Sequence, residues 1–168
     1  MSKLSKVLEI TRVIDAPREL VYEAFTAPEH LLQWWGPEGW EMRVSTFEFR
    51  PSGVFHYSQQ SPDGHLMWVK FVYHELNAPE KIVYTSAFCD GDGQVVRAPF
   101  DPNWPLATRT TFTFTEQAGQ TLLTMTAEPV EPTEQEAATF AASGKMMEEG
   151  FGGTFQRLAS YLSERSVG

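Results

Sequence analysis

The sequence predicts a single α+β domain in which a curved antiparallel sheet packs against a long C-terminal helix. Apolar and polar residues alternate, at a period of two, from Trp40 to Glu128. A capping box and a stripe of apolar residues at spacings of three or four follow, starting at Thr133. Two prolines that fit the first turn of short helices come soon after the first strand. The chain has 168 residues, the size of one domain, and we place its core at about residues 8–163.

The N-terminal segment predicts a strand and two short helices. Leu4–Ile14 alternates imperfectly between apolar and polar residues, which indicates the strand. Pro17 and Pro28 each open a helix. The Gly-Pro pair at 36–37 ends the second helix, because glycine is favoured just after a helix and proline cannot continue one.

The middle of the chain predicts about six further strands joined by turns. The clearest is Thr110–Thr115, in which Phe112 and Phe114 share one face and threonines occupy the other. The stretch Cys89–Leu106 is rich in glycine and proline and predicts a long loop, a feature that is often functional in a compact domain. The predicted strands are Val44–Phe49, Val54–Tyr57, Leu66–Leu76, Lys81–Phe88, Thr110–Thr115 and Thr121–Ala127.

The C-terminal segment predicts one long helix from the capping box Thr133–Glu136 to Ser163. Glycines at 144, 150, 152 and 153 weaken such a helix by about 1 kcal/mol each relative to alanine. We therefore expect a kink or a close-packing point at Gly150–Gly153. A phosphate-binding loop is not expected there, because these glycines do not lie between a strand and a helix N-terminus. The apolar stripe consists of Phe140, Gly144, Met147, Phe151, Phe155, Leu158 and Leu162.

Composition and charge exclude several classes of function. The net charge of −9 repels phosphate backbones, so we expect neither nucleic acid nor an anionic membrane as a partner. The single cysteine, Cys89, and an N-terminus without a long apolar run predict a cytoplasmic protein. No hydrolase, metalloprotease or nucleotide-binding motif is present, and none of the four histidines has a partner at metal-ligand spacing. We expect no metal and no cofactor.

Four segments of the chain resemble a known family. They are IDAPRELVYEAFTAPEHLLQWWGP at 14–37, MWVKFVYHELNAPEKIVYT at 67–85, PFDPNWP at 99–105 and EEGFGGTFQRLASYL at 148–162. The sequence is similar to the SRPBCC or START-like superfamily, within it to the homologues of the activator of the ninety-kilodalton heat-shock chaperone ATPase. The resemblance implies a helix-grip fold with a largely apolar cavity between sheet and helix. It does not imply one function, because members of the superfamily bind, cyclise, sequester or regulate on the same scaffold.

The leading hypothesis is a domain that binds a hydrophobic or aromatic small molecule. Aromatic residues are abundant on the inferred inner faces of the strands and the C-terminal helix, and the sequence contains no recognisable set of catalytic residues. Arg97, in the loop expected to cover the cavity mouth, is the charged candidate. The remaining expected lining residues are Phe55, Tyr57, Val69, Phe71, Tyr84, Phe112, Phe114, Met125, Met147, Phe151 and Phe155.

The tryptophans of the stretch LLQWWGPEGW, residues 31–40, are predicted to have different roles. Trp35 lies four residues after Leu31 on the apolar helix face, so we expect it to be a buried structural plug. Trp34 lies about 100° around the helix, and Trp40 follows the Gly-Pro break. Both are expected at the pocket mouth, where an indole can be apolar inward and keep its N–H in water.

Two alternative functions stay open. One is regulation of a chaperone ATPase, which the resemblance implies; against it, the chain begins almost directly with the first strand. The other is a cyclase- or aromatase-type enzyme acting on a polyketide-like substrate, with Arg97, His56 or Glu48 orienting or protonating it. We favour binding over catalysis. A homodimer is consistent with the resemblance, although no residue requires one.

Overall fold

The computed structural model describes residues 7–167, with the side chains of 165–167 left out of the description. It confirms the predicted α+β domain with a curved antiparallel sheet, two short helices after the first strand and a long C-terminal helix. In chain order the elements are β1 (Leu8–Ile14), α1 (Arg18–Glu23), α2 (Pro28–Trp34), β2 (Glu41–Phe47), β3 (Val54–Gln60), β4 (Leu66–Asn77), β5 (Lys81–Cys89), β6 (Thr108–Gln117), β7 (Gln120–Pro129), α3 (Glu134–Ala142) and α4 (Gly144–Val167).

All these strands form one 7-stranded antiparallel sheet in the order β1-β7-β6-β5-β4-β3-β2. The strands β2 to β7 lie side by side in chain order, and β7, the last strand, pairs with β1, the first. The pairing register shifts between Val44 and Thr46 in β2, and again between Tyr73 and Glu75 in β4. Such bulges bend a strand and increase its twist, which favours the curvature of the sheet.

Aromatic rings fill much of the concave face of the sheet. Phe112 and Phe114, on β6, are almost completely buried, as the alternation of threonine and phenylalanine predicts. The ring of Phe155 on α4 meets Phe112 edge-on, with their centroids 6.0 Å apart. Leu158 and Leu162 continue the buried stripe of α4. Full burial of each such side chain stabilises the fold by about 1.5–3 kcal/mol.

The C-terminal segment forms two helices, where the sequence predicts one. The capping box at Thr133 and Glu136 is present and opens α3. Ser143 leaves helical geometry, with φ −94° and ψ 5°, and α4 begins at the next residue. The Ser143 hydroxyl donates back to the carbonyl of Thr139, and Gly144 favours helix poorly, so both residues weaken the helix at this point.

Beyond that break, α4 runs without interruption through its remaining glycines. A β-carbon added at Gly152 would lie 3.0 Å from the guanidinium of Arg12, so the side chain of this β1 residue reaches the helix backbone there. Gly150 and Gly153 face open space. Of these three glycines, Gly152 alone is therefore a close-packing point.

Candidate functional site

A cavity of about 380 Å³ lies between the concave face of the sheet and α4. The turn after α2 and the start of α4 contribute to its wall, and Trp104 of the loop 90–107 reaches it together with Phe140 of α3. Aromatic rings, methionines and small hydroxyl side chains make up most of the lining. The lining residues are Trp35, Gly36, Pro37, Tyr57, Gln59, Met67, Val69, Phe71, Tyr84, Ser86, Phe88, Trp104, Thr108, Thr110, Met125, Ala127, Phe140, Met146, Met147, Gly150, Phe151 and Thr154.

Half of the fourteen sequence-predicted site residues line this cavity. Those on strands share the concave face because side chains alternate along a strand, and the helical pair Met147 and Phe151 are four residues apart on one side of α4. The predicted residues that line the cavity are Tyr57, Val69, Phe71, Tyr84, Met125, Met147 and Phe151.

Four predicted residues lie on the expected face but fill the core beside the cavity. The ring of Phe55 stacks on Tyr57 at 4.5 Å and meets Phe47 at 5.1 Å. Phe114 meets Phe25 of the α1–α2 connection at 5.3 Å, and Phe25 also lies 4.9 Å from Phe112. The ring of Phe25, which lies outside the sheet, occupies the space in front of Phe112 and Phe114. The four residues are Phe55, Phe112, Phe114 and Phe155.

The roles predicted for Trp34 and Trp35 are wrong and must be exchanged. Trp34 is completely buried, and its indole N–H donates a 3.1 Å hydrogen bond to the carbonyl of Ala24. Trp35 lines the cavity. The prediction placed both residues on one helix, but α2 ends at Trp34 and Trp35 has an extended backbone, with φ −74° and ψ 135°. The 100° rotation between helical neighbours therefore does not apply to this pair.

Trp40 and Arg97 are also outside the cavity lining. Trp40 is partly exposed just before β2. Arg97 instead donates at 2.6 Å to the Glu136 carboxylate and at 3.3 Å to the carbonyl of Trp104. This guanidinium holds the pKa of Glu136 below its ordinary value. The ion pair connects the loop to the start of α3, because Glu136 lies in the first turn of that helix and its carboxylate also accepts from the amide of Thr133 in the capping box.

The other polar residues proposed for an enzyme lie away from the cavity. His56 stacks on Trp68 with ring centroids 4.9 Å apart, and its Nε2 is 3.1 Å from the carbonyl of Asp90. Glu48 accepts hydrogen bonds from Arg50 at 3.2 Å and from the amide of Val54 at 3.0 Å. Neither His56 nor Glu48 lines the cavity. Each side chain has a structural partner of its own.

The cavity wall is electrically neutral. Within the part of the chain that the structure describes, no Asp, Glu, Lys, Arg or His lines it. Its only lining groups with an acidic proton are the phenols of Tyr57 and Tyr84, and burial raises the pKa of each well above 10. The Tyr57 oxygen accepts a 3.0 Å hydrogen bond from the indole N–H of Trp35. The site therefore offers hydrogen-bonding groups without charge.

The sequence profile of the "Activator of Hsp90 ATPase homolog 1-like protein" family matches residues 15–163. The chain belongs to this family. The match begins before α1 and ends within α4, so the matched range of this family includes the residues that line the cavity and the loop 90–107. No curated protein matches this chain. Among its described residues, no helix is both long and apolar enough to cross a membrane.

Solved structures share the fold of this family member along nearly the whole chain. A protein from Arthrobacter aurescens, solved by solution NMR, is 26% identical with a TM-score of 0.77, covering 94% of this chain and 86% of its own. One from Staphylococcus epidermidis is 26% identical with a TM-score of 0.76, covering 95% and 90%. A crystal structure from Chromobacterium violaceum shares the fold at 24% identity and a TM-score of 0.73, covering 93% and 96%.

Several lining residues of this family member were missed by the sequence reasoning. Ser86 and Phe88 follow Tyr84 at a spacing of two on β5, and Thr108 precedes Thr110 in the same way on β6. Period-two spacing extended along each strand would have found them. Gln59, two residues after Tyr57, was missed because a polar side chain was not expected on an inner face. Phe140 belongs to the predicted apolar stripe, but Trp104 lies in a loop without a period, and long-range packing places its ring 5.6 Å from that of Phe140.

Proposed function

We propose that this domain binds an uncharged apolar or aromatic small molecule in the cavity between the sheet and α4. The observation that carries the proposal is the cavity itself. Its volume of about 380 Å³ lies within the range of about 300–1,000 Å³ that is typical of small-molecule sites. Protein interiors are otherwise packed with few voids larger than a water molecule, so a space of this size lined mainly by apolar groups favours an apolar occupant.

The covering loop supports this function by closing one side of the cavity. Trp104 packs against Phe140, which is buried on α3, and Arg97 joins the loop to the start of the same helix. Phe100 lies beside Trp104, with ring centroids 5.5 Å apart, and is 54% exposed. Displacement of this loop would open a path from solvent to the cavity without unfolding the sheet.

Titration with N-phenyl-1-naphthylamine, a neutral dye that fluoresces in apolar surroundings, tests the proposal. We expect saturable binding at one site per chain. Ala127→Phe places a ring in the cavity and should weaken binding by about tenfold or more. The matched control is Ala87→Phe, which adds the same ring on β5 at a position paired with Lys70 on the opposite face of the sheet.

Both variants must be shown to fold, by comparing their circular dichroism spectra and melting temperatures with those of the unaltered chain. The proposal fails if the unaltered protein shows no saturable binding. It also fails if a folded Ala127→Phe variant binds the dye as tightly as the unaltered protein does.

A second candidate function is interaction with a chaperone ATPase, which the description of the matched family favours. The apolar residues exposed on the covering loop and nearby would supply its contact surface, among them Val95, Phe100 and Leu106. ATPase assays with purified Hsp90 test it. If the domain stimulates ATP hydrolysis by Hsp90 and the Phe100→Ser variant does not, the interaction is supported. If the rate of ATP hydrolysis is unchanged at a saturating concentration of the domain, the interaction is ruled out.

A further inference from the structure

We infer that the cavity selects uncharged ligands that carry a carbonyl group, and that Gln59 recognises the carbonyl oxygen. This inference rests on the proposed function and names the ligand class for the same site. Ketones, esters and amides built on an aromatic or apolar skeleton are the molecules that fit. Carboxylates and ammonium ions are excluded.

Selection against charge follows from the composition of the wall. A charged group loses its hydration on entering an apolar cavity and is stabilised there only by an opposite charge or by several hydrogen bonds. None of the described residues that line the cavity carries a charge. The nearby Arg97 and Glu136 are paired with each other, so neither serves as a counter-ion for a ligand.

Gln59 contributes a side-chain amide to the cavity wall. It is only 7% exposed and lines the cavity, yet its side-chain amide makes no hydrogen bond with any described residue. The amide packs directly against Gly36, because a β-carbon added at this glycine would overlap the Gln59 Nε2. Gly36 has φ +90°, so a glycine at this position permits both the backbone turn and the close packing of the Gln59 amide. A ligand that accepts from this amide therefore gains a hydrogen bond without breaking one within the described part of the protein.

Tyr57 provides a second donor beside Gln59. The two residues are separated by one position on β3 and therefore lie on the same face of the strand. The Tyr57 oxygen already accepts from the indole N–H of Trp35, which leaves its own O–H to donate. A carbonyl oxygen accepts two hydrogen bonds through its two lone pairs. We expect one carbonyl oxygen to accept from both donors, an N–H of Gln59 and the O–H of Tyr57.

Isothermal titration calorimetry with four probes, all derivatives of naphthalene, tests the inference. The probes are methyl 2-naphthoate, 2-naphthoate, 2-ethylnaphthalene and 2-(aminomethyl)naphthalene. At neutral pH the ester should bind at least about tenfold more tightly than the carboxylate or the ammonium ion, because only the ester carries a carbonyl without charge. This comparison uses the unaltered protein and does not depend on any variant folding.

Gln59→Leu, which removes the amide while nearly keeping its size, tests the recognising residue. It should weaken ester binding by about five- to tenfold and leave 2-ethylnaphthalene unchanged or tighter. Gln60→Leu is the matched control, since Gln60 is adjacent on β3 but its amide points to the Gly64 carbonyl in the hairpin at 3.4 Å. It should change neither affinity.

The outcomes separate the two proposals. If 2-ethylnaphthalene binds but the carboxylate binds as tightly as the ester, the ligand class is wrong while the cavity site stands. If Gln59→Leu weakens the ester and the hydrocarbon equally, Gln59 does not recognise the carbonyl. If none of the four probes binds, the proposed function and this inference both fail.

Discussion

The indole N–H of Trp35 donates a 3.0 Å hydrogen bond to the hydroxyl oxygen of Tyr57. This bond connects the residue that follows α2 to the inner face of β3, and both side chains line the cavity. The ring of Trp35 also lies 5.9 Å from Phe71 and 6.3 Å from Phe151. One residue beyond the end of a helix therefore contacts the sheet and α4 together.

The Trp35–Tyr57 bond can be measured with a double-mutant cycle. Trp35→Phe and Tyr57→Phe each remove one partner, and each should lower the free energy of unfolding by about 0.5–1.5 kcal/mol beyond its change in packing. Since either change breaks the same bond, the double variant should lose less than the sum of the two. Urea unfolding of the four proteins gives these values. Additive losses would show that the bond contributes nothing.

Trp34→Ala should be one of the more destabilising substitutions in the chain. It removes a fully buried ring that lies 4.8 Å from Phe25 and a hydrogen bond to Ala24, so we expect a loss of about 3–5 kcal/mol. Trp40→Ala, at a partly exposed indole outside the cavity, is the control and should cost less. Comparable losses in chemical denaturation would contradict the assignment of Trp34 to the core.

The ion pair between Arg97 and Glu136 should make stability depend on acid pH. The pKa of Glu136 is lowered from 4.5 in the fold, chiefly by its hydrogen bond from Arg97. Its stabilising contribution is therefore fully present above the unfolded pKa, and is lost as the pH falls below about 4.5 through the folded pKa. Glu136→Gln removes this titration.

Unfolding free energies at about pH 6 and about pH 4 test this dependence. The unaltered protein should lose more stability between the two values than Glu136→Gln does, and Arg97→Ala should reduce the loss in the same direction. Glu134→Gln is the matched control, because Glu134 is exposed on the same first turn of α3. Equal losses in the unaltered protein and in Glu136→Gln would refute the prediction.

Gly153→Ala should stabilise the protein. Gly153 lies inside α4, where a β-carbon would meet open space, so alanine should gain about 0.5–1 kcal/mol through helix propensity. Gly152→Ala is the comparison, since its β-carbon would lie 3.0 Å from the Arg12 guanidinium. It should gain less, because Arg12 must move. A lower melting temperature for Gly153→Ala would be inconsistent with the described helix.

Local patterns predicted the elements because each is determined by neighbouring residues. The alternation at Thr110–Thr115 and the capping box at Thr133 both appear where the sequence placed them. The break at Ser143 was missed for a similar reason. The stripe spacing of three or four continues across it, and the competing hydrogen bond from Ser143 to Thr139 is not visible in a hydrophobic period.

The location of the cavity depends on contacts between distant residues. Periodicity places Phe55, Tyr57, Phe112 and Met125 on the concave face equally well. Which part of that face stays open is decided by Phe25, whose ring fills the space beside Phe112 and Phe114. No spacing rule relates a residue between two short helices to a strand almost ninety positions later. The same limitation explains why Trp104 was not predicted beside Phe140.

The methionines provide the most direct test that the cavity is the binding site. Met67, Met125, Met146 and Met147, four of the six in the chain, line the cavity, whereas Met42 on β2 does not. With carbon-13-labelled methionine methyl groups, nuclear Overhauser contacts to bound N-phenyl-1-naphthylamine report which methyls touch the dye. The account predicts contacts to Met125 and Met147 and none to Met42. A bound dye that contacts neither Met125 nor Met147 would contradict it.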